Sequence, residues 1–155
     1  MLQSRQNAQV PLFAEWLMQE RQRCERYNYF FSVVMLTSPK LSAWEIVNRI
    51  SGSLRKSDDL GTVDGKGRYR CLGSSREFAL EDQAQPERQE MVGIVLTQTD
   101  RNGALRAVER LSAALSGQEQ VRIGMAVYPD DSTIPEELMA LAAGGLSGGG
   151  AQQPA

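Results

Sequence analysis

Phe31-Ser32-Val33-Val34-Met35-Leu36-Thr37 is the stretch on which the reading of the fold turns. Its apolar run is continuous rather than alternating, the pattern of a strand covered on both faces. Helices must supply that cover, so the chain is read as layers of helix on sheet. In such domains ligands, and any metals they bring, sit at the carboxyl ends of strands. Here the strand runs out into Thr37-Ser38-Pro39-Lys40, with no acidic residue at its tip.

On the amino-terminal side, Phe13, Trp16, Leu17 and Cys24 recur at helical spacing between Pro11 and about Arg26, with Glu15, Arg21 and Arg23 left for water. This predicts an amphipathic first helix. On the other side, Ser42-Ala43-Trp44-Glu45 has the form of a capping box, hydroxyl and carboxylate each satisfying a free amide of a helix start. The helix it opens carries Ile46, Val47, Ile50 and Leu54 as one apolar stripe, and Arg55-Lys56 suit the negative pole of its dipole. Both tryptophans, Trp16 and Trp44, have apolar neighbours and are read as core.

Further along, Met91-Val92-Gly93-Ile94-Val95-Leu96 reads as a second buried strand. Asp100-Arg101-Asn102 follows as a cap region, then a helix with Ala104, Val108, Leu111 and Leu115 on one face, ended by Gly117. Val121 to Val127 gives another strand, closed by Pro129-Asp130-Asp131. A last helix starts near Thr133 with Leu138, Met139 and Leu141. Strand, helix, strand in this order calls for right-handed crossovers. The glycine-rich end, 144–155, is too poor in apolar residues to pack and is expected to be a mobile tail.

Composition narrows the function classes. With 155 residues, 41% of them hydrophobic, the chain fits one core and one domain. A net charge of -2, from 17 basic and 19 acidic residues, gives no footprint for gripping nucleic acid or an anionic membrane. The absence of histidine removes the commonest general base and the commonest metal ligand together, which argues against hydrolytic triads and zinc sites. Cys24 and Cys71 stand far apart and are read as two structural thiols of a reducing compartment. No apolar stretch is long enough to span a bilayer, and Met1-Leu2-Gln3-Ser4-Arg5-Gln6-Asn7 lacks the core of a signal peptide, so a cytoplasmic protein is expected.

Taken in order, these pieces resemble the GGDEF family, the diguanylate cyclase domains that condense two GTP molecules into cyclic di-GMP. The resemblance covers about residues 11–143. Phe31 to Leu36 is similar to the family's first strand, and Leu54-Arg55-Lys56-Ser57-Asp58 resembles its L-R-x-x-D helix end. Ile94 to Asp100 with Gly103-Ala104 resembles the strand and turn after the signature. Ile123-Gly124-Met125-Ala126, Tyr128-Pro129-Asp130 and Pro135-Glu136-Glu137-Leu138 resemble its later S-I-G-x-A, Y-P-x-D and x-E-E-L run. The fold so implied is α+β, nucleotidyl cyclase-like, with a central mixed sheet of about five strands flanked by helices.

The family's mechanism holds two magnesium ions on GTP with two carboxylates, because bridging cations neutralise charge developing at phosphorus. At the first of these positions stands Thr37, whose neutral hydroxyl cannot replace the charge. The longer segment that reads guanine is absent, since the chain passes almost directly from Thr37 to Ser42. For the signature, strand register places Arg88-Gln89-Glu90-Met91-Val92 at G-G-D-E-F. Letter similarity instead places Ser74-Ser75-Arg76-Glu77-Phe78 there. Register is preferred, because strand continuity constrains it more strongly. Either way the glycine pair that lets backbone close on phosphate is gone. Glu90 is the one acid left near the metal position, and it reads better as a solvated hairpin carboxylate. The implied protein is catalytically inactive, without metal or cofactor.

What the resemblance leaves is a ligand site. Arg55 and Asp58 match the R-x-x-D of the family's product-binding site, where the arginine pairs with guanine or phosphate and the aspartate accepts from the guanine edge. The plainer reading has Arg55 capping a helix dipole and Asp58 starting a strand. The partner is then cyclic di-GMP; the alternative is a ligand-free module that dimerises or docks on another signalling protein. Within an insertion at about 61–90, Arg68 to Leu72 and Glu77 to Leu80 are paired as an extra hairpin. Asp64-Gly65-Lys66-Gly67 lacks full Walker spacing and is read as a turn. Lys66, Arg68, Arg70 and Arg76 are read as a solvated basic loop.

Overall fold

A computed structural model describes residues 11–72, 91–117 and 120–148 of the chain. Helix α1, Phe13–Tyr27, stops where Asn28 turns into the left-handed region at φ 63, a conformation asparagine tolerates. The chain then enters β1, Phe31–Thr37. Helix α2, Ala43–Ile50, opens as predicted: Glu45 N donates to Ser42 Oγ at 3.1 Å and Ser42 N donates to Glu45 Oε1 at 2.9 Å. Strands β2, Asp59–Val63, and β3, Tyr69–Cys71, form a hairpin. The rest is β4, Met91–Thr97; α3, Arg101–Ala114; β5, Arg122–Tyr128; and α4, Pro135–Gly148.

The five strands lie in the order β3-β2-β4-β1-β5. Every pairing is antiparallel, which corrects the expected mixed sheet. The expected crossovers do join strands that run the same way, β1 to β2 and β4 to β5. In each case a third strand lies between the two, β4 in the first and β1 in the second, so no parallel neighbours arise. This is the split βαβ arrangement. The α+β class, the five strands and the flanking helices stand as expected.

Alternation along β1 sends its side chains into two cores. Val34 and Leu36 pack with Ile46, Val47 and Ile50 of α2 and with Ala104 and Leu111 of α3. Phe31, Val33 and Met35 pack with Phe13 and Leu17 of α1 and with Leu138 and Ala142 of α4. Trp44 packs at the edge of the first core. Trp16 sits at the edge of the second, edge-on to Tyr69 with its Nε1 donating to Asp59 Oδ2 at 2.9 Å. Among the described residues no helix is long and apolar enough to cross a membrane.

Three further expectations are corrected. Helix α2 ends at Ile50 and passes through a 3₁₀ turn, Ser51–Ser53, so Leu54, Arg55 and Lys56 lie beyond it and Arg55 caps no helix dipole. Arg68 to Leu72 pairs with β2, Gly61 opposite Cys71 and Val63 opposite Tyr69; Glu77 to Leu80, its expected hairpin partner, lies outside the described residues. The Asp64 to Gly67 turn is confirmed as the tip of that hairpin, with Gly67 N donating to Asp64 O at 2.9 Å. Cys71 is exposed and only Cys24 is buried, where burial pushes its thiol up to about 11.

The third concerns the carboxyl-terminal stretch. Helix α4 continues through Gly144 and Gly145 to Gly148, into the expected tail. Its backbone lies directly on β5: a Cβ on Gly124 would collide with the carbonyl of Ala142, and one on Gly145 would meet Gly124 Cα at 3.1 Å. The glycines that weaken the helix in isolation are what allow this approach. On the same helix Leu141 faces outward and Ala142 takes the buried position.

Candidate functional site

The strand register sorts the predicted site residues to two ends of the sheet, roughly 20 Å apart for seven-residue strands. At one end lie Thr37, opposite Arg122, and the start of β4, whose Met91 faces Val63. Met91 and Val92, the last two residues of the register-placed signature, open β4. Arg88, Gln89 and Glu90 lie outside the described residues, as do Ser74 to Phe78. The fold therefore brings the tip of β1 and the entry to β4 to one end.

Two magnesium ions would need carboxylates there, and the described residues do not fit them. The strand termini Thr37, Val63, Met91 and Arg122 carry none. The next residue after Val63, Asp64, is taken up by its own turn: Oδ1 accepts from Lys66 N at 2.9 Å and Arg68 N at 3.0 Å, and Oδ2 from Arg68 Nε at 2.8 Å. Burial alone would raise this carboxyl, but those donors outweigh it and hold it below its ordinary range. Among the described residues no three acidic, cysteine or histidine side chains gather as a metal site.

At the opposite end the R-x-x-D segment forms a closed loop. Asp58 has no exposed side-chain surface, and its Oδ2 accepts from Arg55 N at 3.0 Å. Its Oδ1 accepts from Arg55 Nη2 at 3.2 Å, and Asp58 N returns a bond to Arg55 O at 3.0 Å. The same Nη2 donates to Thr97 O at 2.8 Å and Thr99 Oγ1 at 2.6 Å. Thr97 Oγ1 completes the link by donating to Ser57 O at 3.0 Å. Loop and strand end are thus sewn together around one guanidinium.

Arg55 remains half exposed and lines an open cleft of about 340 Å³ with Gln98, Thr99, Asp100, Arg106 and Arg110. Arg106 and Arg110 stand one helical turn apart on α3, so both reach the same side. A second, more open hollow of about 680 Å³ adjoins it, sharing Arg55 and Arg110 and floored by Leu54, Ala113 and Ala114. Three guanidinium groups around this open cleft suit a ligand with paired acceptors, such as two phosphate oxygens or the O6/N7 edge of guanine.

Sequence reasoning placed Arg55 and Asp58 and missed the other members. The four-residue spacing of Arg106 and Arg110 is visible in the sequence, but nothing there says that α3 packs beside the Arg55 loop. Thr97 and Thr99 read as strand end and turn. A short step beyond Asp58 the chain has β2 and the turn Asp64-Gly65-Lys66-Gly67, a segment that the sequence reading did not set against the signature.

No family model matches the chain, and no curated protein matches it in sequence. Solved structures do. The GGDEF domain of YfiN (TpbB) from Pseudomonas aeruginosa superposes with a TM-score of 0.62 at 17% identity, over 91% of this chain and 83% of that one. A diguanylate cyclase protein from Thermotoga maritima gives 0.56 at 15% identity, over 88% and 95%. The chain has the GGDEF fold. A third similar structure is the diguanylate cyclase SiaD from Pseudomonas aeruginosa in complex with its activator SiaC, with a TM-score of 0.56 and 18% identity, over 86% of this chain and 51% of that one.

Proposed function

We propose that this chain is a regulatory GGDEF-fold domain without cyclase activity, which binds cyclic di-GMP in the arginine cleft. The observation that carries the reading is the R-x-x-D loop itself: Arg55, fixed by Asp58, presents a half-exposed guanidinium to a cleft that also receives Arg106 and Arg110. A cyclic dinucleotide carries two phosphates and two guanine edges, and guanidinium forks suit both. Against catalysis stand Thr37 in place of an acid and Asp64 turned inward on its own hairpin.

Calorimetric titration of cyclic di-GMP into the wild-type chain and Arg55→Ala tests the ligand. Saturable binding is expected, weakened on the order of a hundredfold by the substitution, with Arg110→Ala costing about tenfold. Absence of heat at millimolar ligand would discard this ligand. Incubation with GTP and magnesium tests the other half, for which no cyclic di-GMP above background is expected.

A second reading, a ligand-free docking module, is favoured by the exposed aromatic turn between α1 and β1, where Tyr27, Tyr29 and Phe30 are 56%, 41% and 40% exposed. SiaD, a protein of this fold, is captured with a protein activator. That reading gains if the titration is silent while the chain self-associates in sedimentation.

A further inference from the structure

If the cleft takes an anion, as proposed above, its affinity depends on where the Arg55 guanidinium points. An exposed arginine samples many rotamers, and fixing one costs side-chain entropy at the moment of binding. In this chain Arg55 is already held by Asp58, the Thr97 carbonyl and Thr99.

Every polar atom of Thr99 is engaged. Its N donates to Phe30 O at 3.1 Å, its O accepts from Ser32 Oγ at 2.9 Å, and its Oγ1 donates to Thr97 O at 2.8 Å. The lone pairs left on Oγ1 face Arg55, whose Nη2 donates to it at 2.6 Å. Gln98, in the left-handed region at φ 52, turns the chain so that Thr99 folds back toward the strand end. The first turn of α3 then closes on the threonine methyl: a Cβ on Gly103 would stand 2.9 Å from Thr99 Cγ2. Thr99 itself is nearly buried, so its hydroxyl is a fixed acceptor rather than a rotor.

We infer that Thr99 is a positioning residue of the cleft, acting on a bound anion only through Arg55, whose fork it aims in concert with Asp58 and the Thr97 carbonyl. Asp58, with no exposed side-chain surface and both oxygens turned to Arg55, shares that work rather than reading the ligand edge.

Thr99→Val keeps the shape and removes the acceptor, and Thr99→Ser restores it. The first readout needs no ligand: rotation of the Arg55 guanidinium followed by nitrogen-15 NMR, with the signal assigned by its loss in Arg55→Met. Rotation is expected to be several-fold faster in Thr99→Val and near wild type in Thr99→Ser, with melting temperatures compared to confirm folding. The second readout is cyclic di-GMP affinity at low salt, expected to fall about tenfold in Thr99→Val, to recover in Thr99→Ser, and to show no further loss when Thr99→Val is added to Arg55→Met. Unchanged Arg55 rotation in Thr99→Val overturns the inference, as does an additional loss in the Arg55→Met background, which would mean that Thr99 touches the ligand. A wild-type chain that binds no cyclic di-GMP removes the ligand reading alone, since the rotation measurement still decides the role of Thr99.

Discussion

At Asp58 a carboxylate with no exposed surface accepts from the backbone and the guanidinium of Arg55, three residues earlier. A buried charge is tolerated only when paired and hydrogen-bonded, and this one is both. Asp58→Asn retains the shape and loses the charge, and an amide nitrogen then confronts Arg55 N across a short contact. Stability is expected to fall by about 1–3 kcal/mol, read as a shifted urea midpoint at an unchanged slope. Arg55→Ala is expected to be milder in the same assay, because its head group is half in water. The pair therefore separates by assay, Asp58 weighing on folding and Arg55 on binding.

Helix α1 carries a different kind of buried charge. Glu20 lies against the sheet with Arg23 at 3.7 Å, and Asp59 is near enough to repel it. Burial pushes its carboxyl up, Arg23 opposes the shift, and Asp59 adds to it. A carboxyl with a raised folded pKa binds its proton more tightly when native. Its contribution to stability is whole below the ordinary glutamate range and is lost as pH rises through the folded value. Glu20→Gln is accordingly expected to melt higher than wild type at pH 8 and to match it near pH 4, where the wild-type group is protonated too. Equal shifts at both pH values would contradict this. Helix α4 makes the complementary point. Its glycines lower helix propensity, yet the close approach of Gly145 to Gly124 ties the helix to β5 beyond the point where composition alone would end it.

For the molecule as a whole, one sheet with a core on each face has to unfold as a unit, because β1 contributes alternate side chains to both. The two tryptophans report on the two faces, Trp16 on α1 and Trp44 on α2. Single-tryptophan variants, Trp16→Phe and Trp44→Phe, are expected to give coincident urea transitions once corrected for their own stabilities. Separated midpoints would mean that the α1 and α4 layer detaches on its own.

The patterns that repeat locally were legible in the sequence. The buried run of β1, the Ser42 and Glu45 capping box, the Asp100 cap and the helical stripes of α1 and α3 each follow from side-chain spacing and short-range hydrogen bonding, which neighbouring residues settle among themselves. The Arg55 and Asp58 pair was legible for the same reason, three residues apart in one loop. What depended on distant partners was not. The strand insertions that make the sheet antiparallel, the pairing of β3 with β2, and the meeting of Arg106 and Arg110 with Arg55 were decided by the tertiary structure. So was the seat of the Arg55 fork on Thr99, 44 residues away. Residues this far apart come together only when burial of two apolar faces drives the layers to close, and that free energy belongs to the assembled sheet rather than to any stretch of sequence.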